Sequence, residues 1–217
     1  LVGTIIASFE SGAVSYLYYA DRIYQINLAL AGIAVGTVSL PALSNAFKKK
    51  NISMISKIQN KSIELSLLLS IPASLGLIIA SDEIVSALFG YGSFSLESAQ
   101  MTASALKFFG FGVPAFALIK ILSNFFFARD DTKTPFYISS FVVLLNIFLS
   151  VTFFDEYGFI IIPIATSIST WTGVLIYCFV LSKKNSLLLK SFLIKNIIKI
   201  ILITILMTFI LVFALDF

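Results

Sequence analysis

The stretch SYLYYADRIYQINLALAGIAVG, Ser15–Gly36, decides how this chain is read. It has the length of a membrane-crossing helix, which needs about 20 residues at about 1.5 Å each. Yet it keeps an adjacent acid and base, Asp21 and Arg22. Charge inside hydrocarbon is costly, so a span that retains it faces water, a partner or the interface. Successive helical residues point about 100° apart, so these two cannot form a well-aligned pair with each other. The guanidinium then has donors to spare, and its planar fork suits phosphate oxygens. Two readings stand at this point. Arg22 faces a hydrated cavity shared with other helices, or the embedded part begins at Ile23 and Arg22 snorkels to headgroups at the outer rim.

The rest of the chain supports a bilayer as its solvent. Of 217 residues, 59% are hydrophobic and 12% charged, and the mean hydropathy is +1.01. A water-soluble domain of this size needs far more polar surface. There is no histidine and one cysteine, Cys178. Imidazole and cysteine-cluster metal sites and an intrachain disulfide are therefore excluded, and no clustered carboxylates replace them. No cofactor is expected, and the reading is a membrane transporter rather than an enzyme. No signal peptide is visible. The opening LVGTIIASF is too short to span and reads as the tail of a helix cut off upstream, which makes the chain a fragment of a longer protein.

Apolar stretches long enough to cross recur at Gly12–Ala46, Ile63–Leu88, Phe108–Ala128, Pro135–Phe154, Phe159–Leu181 and Ile194–Leu215. The fold class is therefore an all-α, polytopic helix bundle in one domain, residues 1–217, with six full spans plus the truncated one. Lysine and arginine favour cytoplasmic connections. One alternate set of connections holds Lys48, Lys49, Lys50, Lys57, Lys61, Arg129, Lys133, Lys183, Lys184, Lys190, Lys195 and Lys199. The other holds Lys107 and is otherwise acidic, with Glu10, Asp82, Glu83, Glu97, Asp155, Glu156 and Asp216. KKKN, ARDDTKTP and SKKN thus face the cytoplasm.

Local signals refine this picture. Ile52, Ile55 and Ile58 sit at helical spacing among the lysines of Lys48–Lys61. That segment is either a short helix on the anionic inner leaflet or a solvated loop. In DTKTP, Thr134 is an N-cap candidate ahead of Pro135. Gly32 and Gly36 form a GxxxG step for close helix packing. Pro72, Pro114 and Pro163 each remove a helical hydrogen bond inside a span. The 22 phenylalanines read as lipid-facing packing. Lys120, in FALIKILSNFFFA, lies deeper in its span than Arg22, with Phe116, Ser123 and Asn124 at helical spacing, and snorkelling is harder for it. Around Arg22, the same spacing gathers Ser15, Tyr18, Tyr19, Gln25, Ala29 and Gly36 near one face.

Ser11–Ser44, SGAVSYLYYADRIYQINLALAGIAVGTVSLPALS, resembles the eighth transmembrane helix of the MurJ/MviN family of lipid II flippases in the MOP exporter superfamily. FGYGSF at Phe89–Phe94 and FFARDDTKTP at Phe126–Pro135 match in order and spacing, up to about Lys184. The resemblance implies a MOP/MATE-like lobe running from the end of helix seven through helix thirteen of a fourteen-helix flippase. It implies the multi-pass bacterial plasma membrane as location, with lipid II and membrane lipids as partners and the missing N-terminal half of the same chain completing the cavity. It also implies that Arg22 contacts the substrate's pyrophosphate, with Lys120 and Asp21 as further substrate-binding candidates. The alternatives are another exporter of lipid-linked saccharides or drugs in the superfamily, or a scaffold of wall synthesis that moves nothing.

Overall fold

The computed structural model describes residues 2–92, 94–184 and 186–215. Among them there is no strand, and helices long and apolar enough to cross a membrane number six, as expected. In chain order the helices are α1 (Val2–Ala7), α2 (Ala13–Leu28), α3 (Val35–Lys48), α4 (Ile52–Ile79), α5 (Ser81–Phe89), α6 (Leu96–Phe127), α7 (Lys133–Thr152), α8 (Phe154–Tyr157), α9 (Ile161–Lys183) and α10 (Ser191–Leu215). A π-helical turn, Ala29–Ala34, joins α2 to α3, so Ala13–Lys48 runs as one continuous span.

Helix α6 is the centre of the bundle. It packs on α4 to one side and α9 to the other, and α2 and α3 lie across it. Outside these, α7 packs on α9 and α10 on α4. One core, with Leu17, Tyr24, Leu106, Phe109 and Phe159, fills the half of the bundle towards the acidic connections. A second, with Leu43, Ile63, Phe125, Phe126 and Tyr177, fills the half towards the lysine-rich connections. The phenylalanines therefore divide between core and periphery. Phe125 and Phe126 are buried, whereas Phe136, Phe148 and Phe209 are exposed.

Close approach of α4 to α6 comes from small residues, as in other membrane bundles. Ser62, Ser66, Ser70 and Ser74 recur at every fourth position of α4, and all are buried. Ser74 also repairs a break. Pro114 has no N–H, so the Gly110 carbonyl one turn earlier loses its helical donor; the Ser74 hydroxyl donates to it at 2.7 Å. From the opposite side, Ser167 Oγ donates to the Phe108 carbonyl at 2.7 Å and Trp171 Nε1 to the Phe111 carbonyl at 2.9 Å. Pro114 is thus held from both flanks. Pro163 differs from its expected role, because it lies in the first turn of α9, where no helical partner is lost.

Gly32 and Gly36 do pack helix on helix. A Cβ at Gly32 would lie 3.3 Å from the Ala117 Cα of α6, and one at Gly36 would lie 3.3 Å from Lys120 Cγ. Asn124 Nδ2 donates to the Gly36 carbonyl across this seam at 2.8 Å. The backbone of α6 cannot yield as a side-chain tip can. Gly32→Leu is expected to lower stability by about 2 kcal/mol, read as a depressed thermal midpoint in detergent.

Several boundaries depart from the sequence expectation. The lysine-rich segment is neither a leaflet-bound helix nor a loop. Asn51 caps α4 by accepting from the Met54 N–H at 3.0 Å, and the helix runs straight into its span. Ile55 turns into the core while Ile52 stays exposed, so the isoleucines are not a lipid-facing stripe. The span expected over Ile63–Leu88 breaks at Ala80, and α5 then starts with Asp82 and Glu83 in its first turn, where carboxylates suit the helix dipole. Helix α6 starts a dozen residues ahead of Phe108, with Ser95 accepting from the Ser98 N–H at 3.1 Å.

Candidate functional site

Three adjoining clefts open along the face of α6 between α2 and α9. The outermost, about 300 Å³, is lined by Gly3, Thr4, Val14, Leu17, Tyr18, Asp21, Arg22, Phe109 and Ile162. Asp21 and Phe109 continue into a second cleft of about 580 Å³ that includes Tyr24, Gln25, Ala29, Ile33, Phe116 and Thr166. Phe116 and Thr166 continue into a third of about 420 Å³, with Val142, Asn146, Ser169 and Thr170. There Asn146 Nδ2 donates to Thr166 Oγ1 at 2.9 Å.

Arg22 lines the outermost cleft, and its side chain is exposed there. Its guanidinium carbon lies 4.7 Å from the centre of the Tyr18 ring. Tyr18 is one turn earlier on α2, so the cation rests on the aromatic face. Asp21 is half-buried and does not pair with Arg22; its Oδ2 accepts from Gln25 Nε2, one turn later. Among the described residues the ion pairs are Lys61–Glu64 and Lys184–Asp131, so Arg22 and Lys120 form none.

The stripe expected around Arg22 splits into separate roles. Tyr18 supports the guanidinium, and Gly36 is buried against α6. Tyr19 turns away to meet Phe89 at 4.8 Å and Phe94 at 5.4 Å between ring centres. The FGYGSF motif therefore docks its two phenylalanines on the residue beside Tyr18, which ties the outer loop to the helix that carries Arg22. Glu10 adds a second outer tie, accepting from the Phe159 N–H at 2.7 Å.

Lys120 stands apart. It is exposed on α6, its stem rests on Gly32 and Gly36, and it is not among the residues lining these three clefts. The spacing Phe109, Phe116, Lys120 keeps it on the same face of α6, about 16 Å further towards the cytoplasm. Arg22 and Asp21 line the same cleft, and Lys120 lies outside it. Tyr18 and Gln25, as separate partners of Arg22 and Asp21, were not singled out in the sequence. Their signal was the four-residue offset from each charge.

The cytoplasmic ends are stitched by the ARDDTKTP motif. Arg129 stacks on Phe47, with 4.7 Å from guanidinium carbon to ring centre, and donates to the Ser186 carbonyl at 3.0 Å. Burial lowers its pKa. Asp130 takes a left-handed conformation, φ 60°, to end α6. Asp131, not Thr134, caps α7: its Oδ1 accepts from the Thr134 N–H at 3.0 Å. Its Oδ2 accepts from Thr134 Oγ1 at 2.8 Å and from Lys184 Nζ at 3.0 Å. Thr134 is the partner of the cap rather than the cap.

These donors, the Thr134 N–H first and Lys184 after it, hold the Asp131 carboxyl at about 2 against an ordinary 3.8. A depressed carboxyl stabilises the fold above its unfolded value and loses that contribution as pH falls through its folded value. Asp131→Asn is thus expected to melt below the parent above about pH 4 and to converge with it near about pH 2. Thermal melts across that range in detergent check it.

The fold is a bundle of membrane-length helices with a cleft along its central helix that holds both Arg22 and Asp21, an architecture that suits a membrane transporter. A family model described as lipid II flippase MurJ matches residues 1–217, and the chain belongs to that family. A probable lipid II flippase of Rhizobium meliloti (strain 1021) is 42% identical over 176 residues, covering 81% of this chain and 33% of that protein. One of Rickettsia prowazekii (strain Madrid E) is 42% identical over 166 residues, covering 76% and 33%. A solved lipid II flippase in an inward closed conformation superposes with a TM-score of 0.87 at 31% identity, over 100% of this chain and 44% of that one. A MOP superfamily transporter from Pyrococcus furiosus shares the fold, with a TM-score of 0.71 at 18% identity over 99% and 49%. The chain spans about a third of the length of the curated relatives it matches.

Proposed function

We propose that this chain is one lobe of a flippase that moves lipid II from the inner to the outer leaflet of the bacterial plasma membrane. The observation that carries the reading is Arg22, a guanidinium in a cleft inside a membrane bundle with no ion pair of its own among the described residues. A diphosphate cannot enter hydrocarbon unaided, and a fixed cation in a hydrated cleft lowers that barrier. Arg22 near the outer end of its span is the outer anchor for the diphosphate. Lys120, on the same face of α6 nearer the cytoplasm, is the inner one. Asp21 beside Arg22 limits the net charge, which favours release over tight retention. A guanidinium cannot by itself balance a diphosphate, so the remaining cations come from helices outside this chain, in an N-terminal half.

The test is growth rescue. The full-length protein, expressed in a bacterium depleted of its own lipid II flippase, should restore wall synthesis and lipid II exposure on the outer leaflet. A protein that is made, reaches the membrane and restores neither would overturn the proposal and favour a scaffold.

A further inference from the structure

The neighbouring charges Asp21 and Arg22 are drawn apart, each by a residue one turn away in the opposite direction. Tyr18 takes the guanidinium by its face, and Gln25 takes the carboxylate through its amide. The guanidinium makes no hydrogen bond or ion pair among the described residues, so its N–H donors stand free for oxygen ligands. The remaining residues lining the outermost cleft, from α1, α6 and α9, carry no charge. The balance at Arg22 is therefore set by where the Asp21 carboxylate goes. A released carboxylate could not pair squarely with its neighbour in the chain, but closer to Arg22 it would lower the positive potential that an anionic ligand meets there.

We propose that Tyr18 and Gln25 are positioning residues for Arg22: the ring fixes the guanidinium, and the amide diverts the adjacent carboxylate, so the donor edge stands open to an anionic diphosphate headgroup. This rests on the role given to Arg22 above. It assigns a function to the four-residue spacing on either side of the charged pair, Tyr18 to Arg22 and Asp21 to Gln25. It also explains how acid and base coexist in one span without cancelling.

The experiment measures binding of undecaprenyl diphosphate to the full-length protein in nanodiscs, with each variant compared at equal folded yield. Gln25→Leu should weaken binding about tenfold, the loss of one charge-assisted contact. Adding Asp21→Asn should restore it, because the released side chain no longer competes. Tyr18→Leu should weaken binding about threefold, and Tyr18→Phe should recover most of that loss. In an Arg22→Ala background neither Gln25→Leu nor Tyr18→Leu should have any further effect. Weak binding by Gln25→Leu that Asp21→Asn fails to rescue, or effects that add to Arg22→Ala, would overturn the inference. So would full-strength binding by Gln25→Leu and Tyr18→Leu while Arg22→Ala binds weakly, an outcome that leaves the role of Arg22 intact. Undiminished binding by Arg22→Ala takes down both.

Discussion

Arg22→Ala in the full-length protein is expected to abolish rescue of a flippase-depleted bacterium at matched expression, while Arg22→Lys retains part of it. The guanidinium has no ion pair among the described residues, and the half-buried Asp21 beside it keeps its Gln25 hydrogen bond when Arg22 is removed. Its contact with Tyr18 is a surface contact inside the cleft. Stability should therefore change by less than about 1 kcal/mol. The loss falls on the ligand instead. Charge-assisted hydrogen bonds contribute about 2–3 kcal/mol each, which is roughly 30- to 150-fold in affinity. Lysine keeps the charge but loses the planar fork and the stacking on Tyr18. Normal rescue by the alanine variant, with lipid II reaching the outer leaflet at the parent rate, would remove Arg22 from the transport path.

The second large effect is structural and lies at the other end of the bundle. Gln59 and Asn60 of α4 read the backbone of the extended connection between α9 and α10. Gln59 Nε2 donates to the Ser186 carbonyl at 3.0 Å and its Oε1 accepts from the Leu188 N–H at 3.2 Å. Asn60 Nδ2 donates to the Leu188 carbonyl at 2.7 Å and its Oδ1 accepts from the Lys190 N–H at 2.9 Å. Both side chains are buried. The double variant Gln59→Ala, Asn60→Ala removes all four bonds and strands the Leu188 and Lys190 N–H groups, while the Ser186 and Leu188 carbonyls keep Arg129 and Ser56 as donors. At about 1 kcal/mol per bond, the cost is about 4 kcal/mol, a large share of a typical domain's total of about 5–15 kcal/mol. Hydrogen exchange at Leu188 and Lys190 should accelerate by more than about 100-fold, with a lower thermal midpoint. Unchanged exchange at those amides would mean that packing of Leu193 and its neighbours holds the segment instead.

This connection also shows where sequence reading stops. The spans and their orientation follow from hydropathy and from lysine placement, both local properties summed over a window. Arg22 was legible because a charge in an apolar run is conspicuous at any scale. The true start of α4 was not, because Ser56, Gln59 and Asn60 look like loop residues. Their partners lie more than a hundred positions away, at Ser186 and Leu188. The π turn at Ala29–Ala34 adds a residue to the backbone path without altering composition. Thr134 was the expected cap, but the role falls to Asp131 three residues earlier, whose carboxylate Lys184 reaches from another loop to share. Lys120 was placed in the right span, and only the assembled bundle shows it exposed and outside the three clefts.

A proline in mid-span is commonly taken as a place where a helix gives. Here Gly110, Phe108 and Phe111 each lend a carbonyl to a neighbouring helix around Pro114, so flexing α6 at this point would strain interhelical bonds on both flanks at once. The proline therefore behaves as a riveted joint rather than as a hinge.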